Sequence, residues 1–169
     1  YTTEESFQDA GFSNSFFLAP SLKYEVSDKL TFLVNTEFYK NTSAKASMIF
    51  LSRYSPLSFD NMSLFDRNYK RSFTSNDLTM NNNSFNMQMQ ALYKLSTNWT
   101  SQTVLSKSST KTNGYYHYLW DSANGDEFTR FISKADGTFY TTDIQQNFIG
   151  DFKIGNMRNR LVAGLDYYN

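Results

Sequence analysis

The chain has 169 residues, no formal net charge, no cysteine and a single histidine, His117. Its length suits one ordinary domain, and its neutral balance gives no basic footprint for nucleic acid. The missing thiols exclude a disulfide framework or thiolate metal site, and one histidine argues against a histidine metal centre or a Ser-His-Asp triad. Aromatic residues make up 18% of the chain, yet the mean hydropathy is only −0.56. A soluble β-sandwich fits that mixture. So does a transmembrane β-barrel, whose alternating strands hide an apolar face from averaged scales. No run is long and apolar enough for a transmembrane helix. The opening Tyr1-Thr2-Thr3-Glu4-Glu5 lacks the basic start and apolar stretch of a signal peptide. An exported protein would therefore be read here as a mature form or an internal piece.

Residues 1–14 are polar with scattered aromatics and read as the end of an earlier element followed by a loop. From Ser15 to Tyr39 the residues alternate regularly. Phe16, Leu18, Pro20, Leu22, Tyr24 and Val26 share one face, and after Ser27-Asp28-Lys29 so do Leu30, Phe32, Val34, Thr36 and Phe38. A period of two on both sides of a tight turn predicts a β-hairpin with one greasy face. Residues 40–83 show no clear period. A connection that long is unusual in a compact soluble domain, where loops beyond about 12–15 residues are rare.

Alternation returns at Ser84, with Phe85, Met87, Met89, Ala91, Tyr93 and Leu95 on one face. Ser96-Thr97-Asn98 predicts a turn. A weaker strand follows from Trp99, where Trp99 and Leu105 share a face with Ser101 and Thr103. Its extension runs to Trp120. Asn124-Gly125-Asp126 and Asp136-Gly137 signal turns of a second loop, in which 128–133 is able to continue a strand above the sheet. The last hairpin covers 141–168 around Gly155-Asn156. Ile144, Phe148, Phe152 and Ile154 take the face that Leu161, Ala163, Leu165 and Tyr167 share.

The expected fold is therefore all-β: an antiparallel meander of about six strands of about 10 residues, as three hairpins with short turns and long connections. A membrane-crossing strand needs about 9–11 residues, and outer-membrane barrels carry short periplasmic turns and long extracellular loops. The greasy faces of Phe16–Val26, Leu30–Phe38 and Phe85–Leu95 hold no Lys, Arg, Asp or Glu, and Tyr and Trp sit near strand ends, as in interfacial girdles. The opposite faces carry amides and charges of both signs, which suit a polar lumen or a solvated sheet.

The segment FFLAPSLKYEVSDKLTFLVNTEFYK and the preceding SFQD resemble the hairpin and short motif of TonB-dependent siderophore receptors. QQNFIGDFKIGNMRNRLVAGLDYYN is similar to that family's strand-turn-strand, with Arg160, Leu161, Gly164, Asp166 and Tyr167 on its pattern. RSFTSNDLT and YKLSTNWTSQTVLS are similar to segments of Bacteroidetes-type members. The resemblance implies that residues 1–169 are part of a transmembrane β-barrel of about 22 strands. Its plug domain and remaining strands lie outside the sequence. It further implies the outer membrane of a Gram-negative bacterium, and import of ferric siderophores without catalysis or a cofactor. The implied partners are outer-membrane lipid, the receptor's own plug and the TonB complex, with no nucleic acid. The alternatives are an importer of another cargo (a glycan or cobalamin) and a soluble carbohydrate-binding β-sandwich. A hydrolase ranks last, because no carboxylate pair has a spacing that demands acid–base roles.

Candidate sites follow from side-chain chemistry. Tyr115, Tyr116, His117, Tyr118 and Trp120 form the densest aromatic run, suited to stacking and phenol hydrogen bonds with a chelate, or simply to packing on neighbouring loops. Arg53, Arg67, Lys70 and Arg71 are able to attract an anionic complex, with Tyr54 beside Arg53 as a further ligand contact. Asp60, Asp66 and Asp77 among them fit a solvated mixed-charge loop equally well. Asp151, Lys153, Arg160 and Asp166 read either as lumenal contacts to a plug or as cross-strand pairs. Met87 and Met89 read as apolar fillers, and no metal site is expected.

Overall fold

A computed structural model describes residues 1–50, 69–121 and 128–169. Among these every regular element is a strand: β1 Thr2–Glu5, β2 Phe12–Leu18, β3 Ser21–Glu25, β4 Leu30–Ala44, β5 Met48–Phe50, β6 Met80–Lys94, β7 Trp99–Asp121, β8 Phe128–Ile154 and β9 Met157–Tyr168. They form one sheet in the order β1-β2-β4-β6-β7-β8-β9, with β3 on β4 and β5 on β7. The all-β, largely antiparallel architecture is as expected. The β5–β7 pair is parallel.

Among the described residues nine strands stand where about six are expected. The first predicted strand is interrupted at Ala19-Pro20, because proline has no N–H for a ladder. Its carbonyl still accepts from the Thr36 N–H (3.0 Å) and hydroxyl (3.2 Å). Residues 2–5, read as a trailing end and loop, pair antiparallel with Phe12–Ser15. The expected strand length of about 10 residues is also too short: β7 has 23 and β8 has 27. Asp136-Gly137, taken as a turn, lies inside β8. Local turn preference yields there to pairing with a long neighbour. Asn124-Gly125-Asp126 falls outside the described residues.

The chain divides into two compact units. One comprises Phe17–Phe38, Ser84–Thr110 and Thr138–Asn169 and contains the three short turns. Leu22 pairs with Val34, and Tyr24 with Phe32, so the greasy faces of β3 and β4 coincide as the alternation requires. Ile144 pairs with Tyr167, Phe148 with Ala163 and Ile154 with Met157, which does the same for β8 and β9. Val26-Ser27-Asp28-Lys29-Leu30 and Leu95-Ser96-Thr97-Asn98-Trp99 turn alike. The Ser27 hydroxyl accepts from the Lys29 N–H (3.3 Å), and the Ser96 hydroxyl from the Asn98 N–H (3.2 Å), a serine-capped turn. In the third turn Gly155 takes φ +59°, the left-handed region a tight hairpin turn reserves for glycine.

This unit has almost no core. Val104 is its one fully buried apolar side chain among the described residues, while Leu22, Tyr24 and Val162 are each at least 60% exposed. On the greasy face Trp99 stacks on Phe152 (centroids 5.9 Å) and Phe38 packs on Phe85 (5.0 Å). The Thr103 hydroxyl donates to Gln146 Oε1 (2.6 Å), and Gln146 Nε2 donates to the Ser101 hydroxyl (2.9 Å). That polar patch therefore satisfies itself. The other face carries a row of amides. Gln90 donates to Gln88 (2.8 Å), Gln102 to Gln90 (3.2 Å) and Asn147 to Gln102 (3.3 Å), crossing β6, β7 and β8.

Candidate functional site

The second unit comprises Tyr1–Phe16, Tyr39–Asn83 and Lys111–Gly137, and most candidate ligand contacts fall in it. Its described part is organised around residues 69–76, which form no strand and are tied down by hydrogen bonds. The β1–β2 turn supplies the first set. The Asp9 N–H donates to the Lys70 carbonyl (2.9 Å), and Gln8 Nε2 donates to the carbonyls of Tyr69 (3.0 Å) and Arg71 (3.2 Å). The Gly11 N–H donates to Asn76 Oδ1 (2.8 Å). Asp9 Oδ1 accepts from both the N–H (2.8 Å) and the hydroxyl (2.6 Å) of Ser72, which is 1% exposed.

Those two Ser72 donors stabilise the charged carboxylate and hold the Asp9 pKa below its ordinary value. The sign is that of a depressed acid. The contribution is complete above the unfolded carboxylate pKa and is lost as pH falls through the folded one. Asp9→Ala removes the acceptor, so trypsin is expected to cut after Lys70 and Arg71 several times faster than in the parent. Unchanged cleavage would show that Asp9 does not hold this segment.

His117 supplies the second set of ties. Its Nδ1 is 2.6 Å from the Ser47 hydroxyl and its Nε2 is 2.8 Å from the Thr74 hydroxyl. The Ser47 hydroxyl also donates its proton to the Phe73 carbonyl (2.8 Å). Counting protons then fixes the tautomer. Ser47 has no second proton to give, so Nδ1–H donates to Ser47, and Nε2 accepts from Thr74. Burial, with Arg130 contributing, lowers the His117 pKa and favours this neutral ring. Phe73 sits at φ +53°, rare for a bulky residue, and is flanked by the bonded Ser72 and Thr74. Both imidazole nitrogens are thus committed to protein hydroxyls.

The other aromatic candidates form a stacked surface. Tyr116 stacks on Tyr118 (6.1 Å) and Tyr118 on Phe131 (5.0 Å). Phe50, brought beside Trp120 by the β5–β7 pairing, stacks on Trp120 (5.6 Å) and meets Tyr118 edge-on (5.4 Å). Tyr116, Trp120 and Phe131 remain 43–53% exposed. Tyr115 follows Gly114 and donates its N–H to the Thr79 carbonyl (2.9 Å). Arg53 and Tyr54, like Arg67, lie outside the described residues.

The lumenal candidates belong to the first-described unit. Asp151 faces Arg160 in register and forms a two-pronged pair with Arg158 (2.7 and 2.5 Å), with Arg160 at 3.4 Å. Lys153 faces Arg158, and Asp166 faces Gln145. Cross-strand pairing is thus present at Asp151 and Arg160. The sequence reading missed Arg158, although its place opposite Lys153 follows from the turn. It also missed Asp9, Ser47, Ser72 and Thr74, whose partners lie far away in sequence and leave no local signal.

No family model and no curated protein matches the chain. Among solved structures, its fold is similar to that of BauA, the ferric preacinetobactin receptor from Acinetobacter baumannii, with a TM-score of 0.76 at 11% identity. The match covers 98% of this chain and 24% of that structure, so the chain spans about a quarter of its length. At this identity the likeness is one of fold.

Proposed function

We propose that the chain forms part of the wall and outer loops of an outer-membrane β-barrel that imports ferric siderophores, acting by binding and gated passage. The observation that carries this reading is a sheet with one uncovered apolar face and an opposite face of linked amides. A sandwich needs a second sheet over the greasy face, and the described residues provide none. Lipid covers such a face without one, and the amide row suits a polar lumen. The likeness to a ferric siderophore receptor supports the cargo class. On this reading the strands cross the membrane within the unit that holds the short turns. The unit containing His117 and Asp9 lies outside the crossing segments. The stacked surface of Tyr116, Tyr118 and Trp120 faces the incoming complex, with plug, TonB complex and lipid as the remaining partners.

The test is fractionation of source cells grown with and without iron, probed with an antibody to this segment, together with ferric-siderophore uptake in a deletion strain. An iron-repressed outer-membrane band and lost uptake are expected. An iron-indifferent soluble band would overturn the reading, and intact siderophore uptake with lost glycan or cobalamin uptake would replace the cargo. At residue level, Leu161→Arg places a charge on the greasy face six positions past Gly155. It should cost about 2–4 kcal/mol in a bilayer and reduce assembly, whereas Val162→Arg on the polar face should be tolerated. Equal tolerance of both, measured as folded protein in the outer membrane, would count against a lipid-facing Leu161.

A further inference from the structure

In the unit that holds His117, side-chain contacts identify the two faces of the strands. The Thr42 hydroxyl donates to Asn81 Oδ1 (2.7 Å), so the even-numbered positions of β4 share a face with the odd-numbered positions of β6. The Thr112 hydroxyl donates to Asn82 Oδ1 (2.9 Å). Since side chains alternate along a strand, the odd-numbered positions of β7 join that same face. Tyr118 stacks on Phe131 (5.0 Å) on the opposite one, which leaves the even-numbered positions of β8 with the first. Lys40, Asn83, Lys111, Arg130 and Lys134 therefore stand together on the face turned away from the stacked rings.

All five are exposed. None of the four cations forms an ion pair among the described residues, although Asp136 shares their face. The strand order β4-β6-β7-β8 spreads them across neighbouring strands about 5 Å apart. They form a band, with Asn83 on the strand between Lys40 and Lys111. Along β4 this face is the greasy one: Leu30, Phe32, Val34, Thr36 and Phe38 precede Lys40 on it. Two residues, about 7 Å of strand, separate Phe38 from Lys40. Cations are costly at a bilayer's midplane and tolerated at its margin, and Lys40 stands where the apolar stretch stops. An acidic protein would need no apolar stretch beside the cations. A lipid has both parts, an acyl chain for the greasy stretch and a headgroup for the cations.

We infer that this face binds negatively charged, phosphate-bearing lipid headgroups, with Lys40, Lys111, Arg130 and Lys134 as the attracting charges and Asn83 as a further donor. The inference rests on the barrel reading, which puts lipid against the greasy face, and adds the class of lipid that is kept there. The surface is distinct from the stacked rings proposed to meet the siderophore, which occupy the opposite face.

The test uses the full-length protein, inserted into vesicles and then extracted in a non-ionic detergent with equal amounts of phosphatidylglycerol and phosphatidylcholine of identical acyl chains. Native mass spectrometry counts the lipids that stay bound. Phosphatidylglycerol is expected to be kept over phosphatidylcholine by about fivefold or more. Lys40→Gln and Lys111→Gln should each lower its retention about fivefold, the attraction of one cation at an anionic membrane surface, and leave phosphatidylcholine unaffected. Lys23→Gln removes the same charge from the polar face of β3 and should change neither. Equal retention of both lipids by inserted protein would overturn this inference alone. Failure to insert into vesicles would overturn it together with the barrel reading. An equal loss in Lys23→Gln would reveal a general effect of net charge, and displacement of phosphatidylglycerol by millimolar glycerol phosphate would assign the cations to a free anion. Either result would overturn the lipid assignment.

Discussion

Gly114→Val is expected to prevent the upper part of β7 from closing on the start of β6. Gly114 is buried and adopts φ +148°, a conformation open to glycine and costly for any residue with a Cβ. Space forbids the substitution independently. A Cβ built there would overlap the Thr79 carbonyl oxygen and lie 2.7 Å from Met80 Cα. Both obstacles are backbone and cannot swing aside like a side chain. The same backbone receives the Tyr115 N–H at 2.9 Å, so relieving the overlap breaks that bond and moves the strand carrying His117. Strain and overlap together place the cost above about 4 kcal/mol, the range reserved for severe core or backbone lesions. Gly155→Ala is the control. Gly155 also has a positive φ, +59°, but a Cβ there meets nothing within 4 Å, so only about 1–2 kcal/mol of backbone strain is expected. Folded yield and denaturant midpoint separate the two, and similar midpoints would refute the steric argument.

Much of the sheet is legible because the information is local. Regular alternation around Ser27-Asp28-Lys29 and Gly155-Asn156 places Leu22 opposite Val34 and Phe148 opposite Ala163, since a slip of one residue would turn every side chain over. The break at Pro20 was written in the sequence but overridden by the apolar period on either side. Asp136-Gly137 carried a turn signal that pairing overruled. The length of β7 and β8 was hidden because their upper halves do not alternate cleanly: Tyr115 to Trp120 is aromatic on both faces. β5 was hidden because three residues, Met48–Phe50, show no period. The aromatic run itself was visible. Its division into a stacked surface and a histidine held by two hydroxyls was not, because Ser47 and Thr74 lie 70 and 43 positions from His117. Contacts of that kind come from the fold, and no local spacing announces them.

Acidification is expected to loosen residues 72–74 through His117. The neutral ring gives a proton to Ser47 and takes one from Thr74, and Ser47 passes its own to the Phe73 carbonyl. Protonation puts a second N–H on Nε2, facing a Thr74 hydroxyl that must then turn its own proton away. It also places a cation in a partly buried site near Arg130. Because the folded pKa lies below the unfolded one, the unfolded segment binds the extra proton first. Stability is therefore full above the unfolded histidine pKa, about 6.5, and declines as pH falls below it until the folded pKa is passed. Asp9, the other titratable group in the tie, is shifted below the ordinary carboxylate value and stays charged through that window. Amide exchange reads the effect directly. After correction for intrinsic rates, the Ser47 amide, which donates to the Ser72 carbonyl at 3.0 Å, should lose protection between pH 7.5 and 5. His117→Ala should cost about 1–3 kcal/mol of local stability by leaving Ser47 and Thr74 without their partner. His117→Phe should abolish the pH dependence while keeping a ring in place. Equal protection of Ser47 at both pH values in the parent, or a pH dependence that survives His117→Phe, would remove the imidazole from control of this segment.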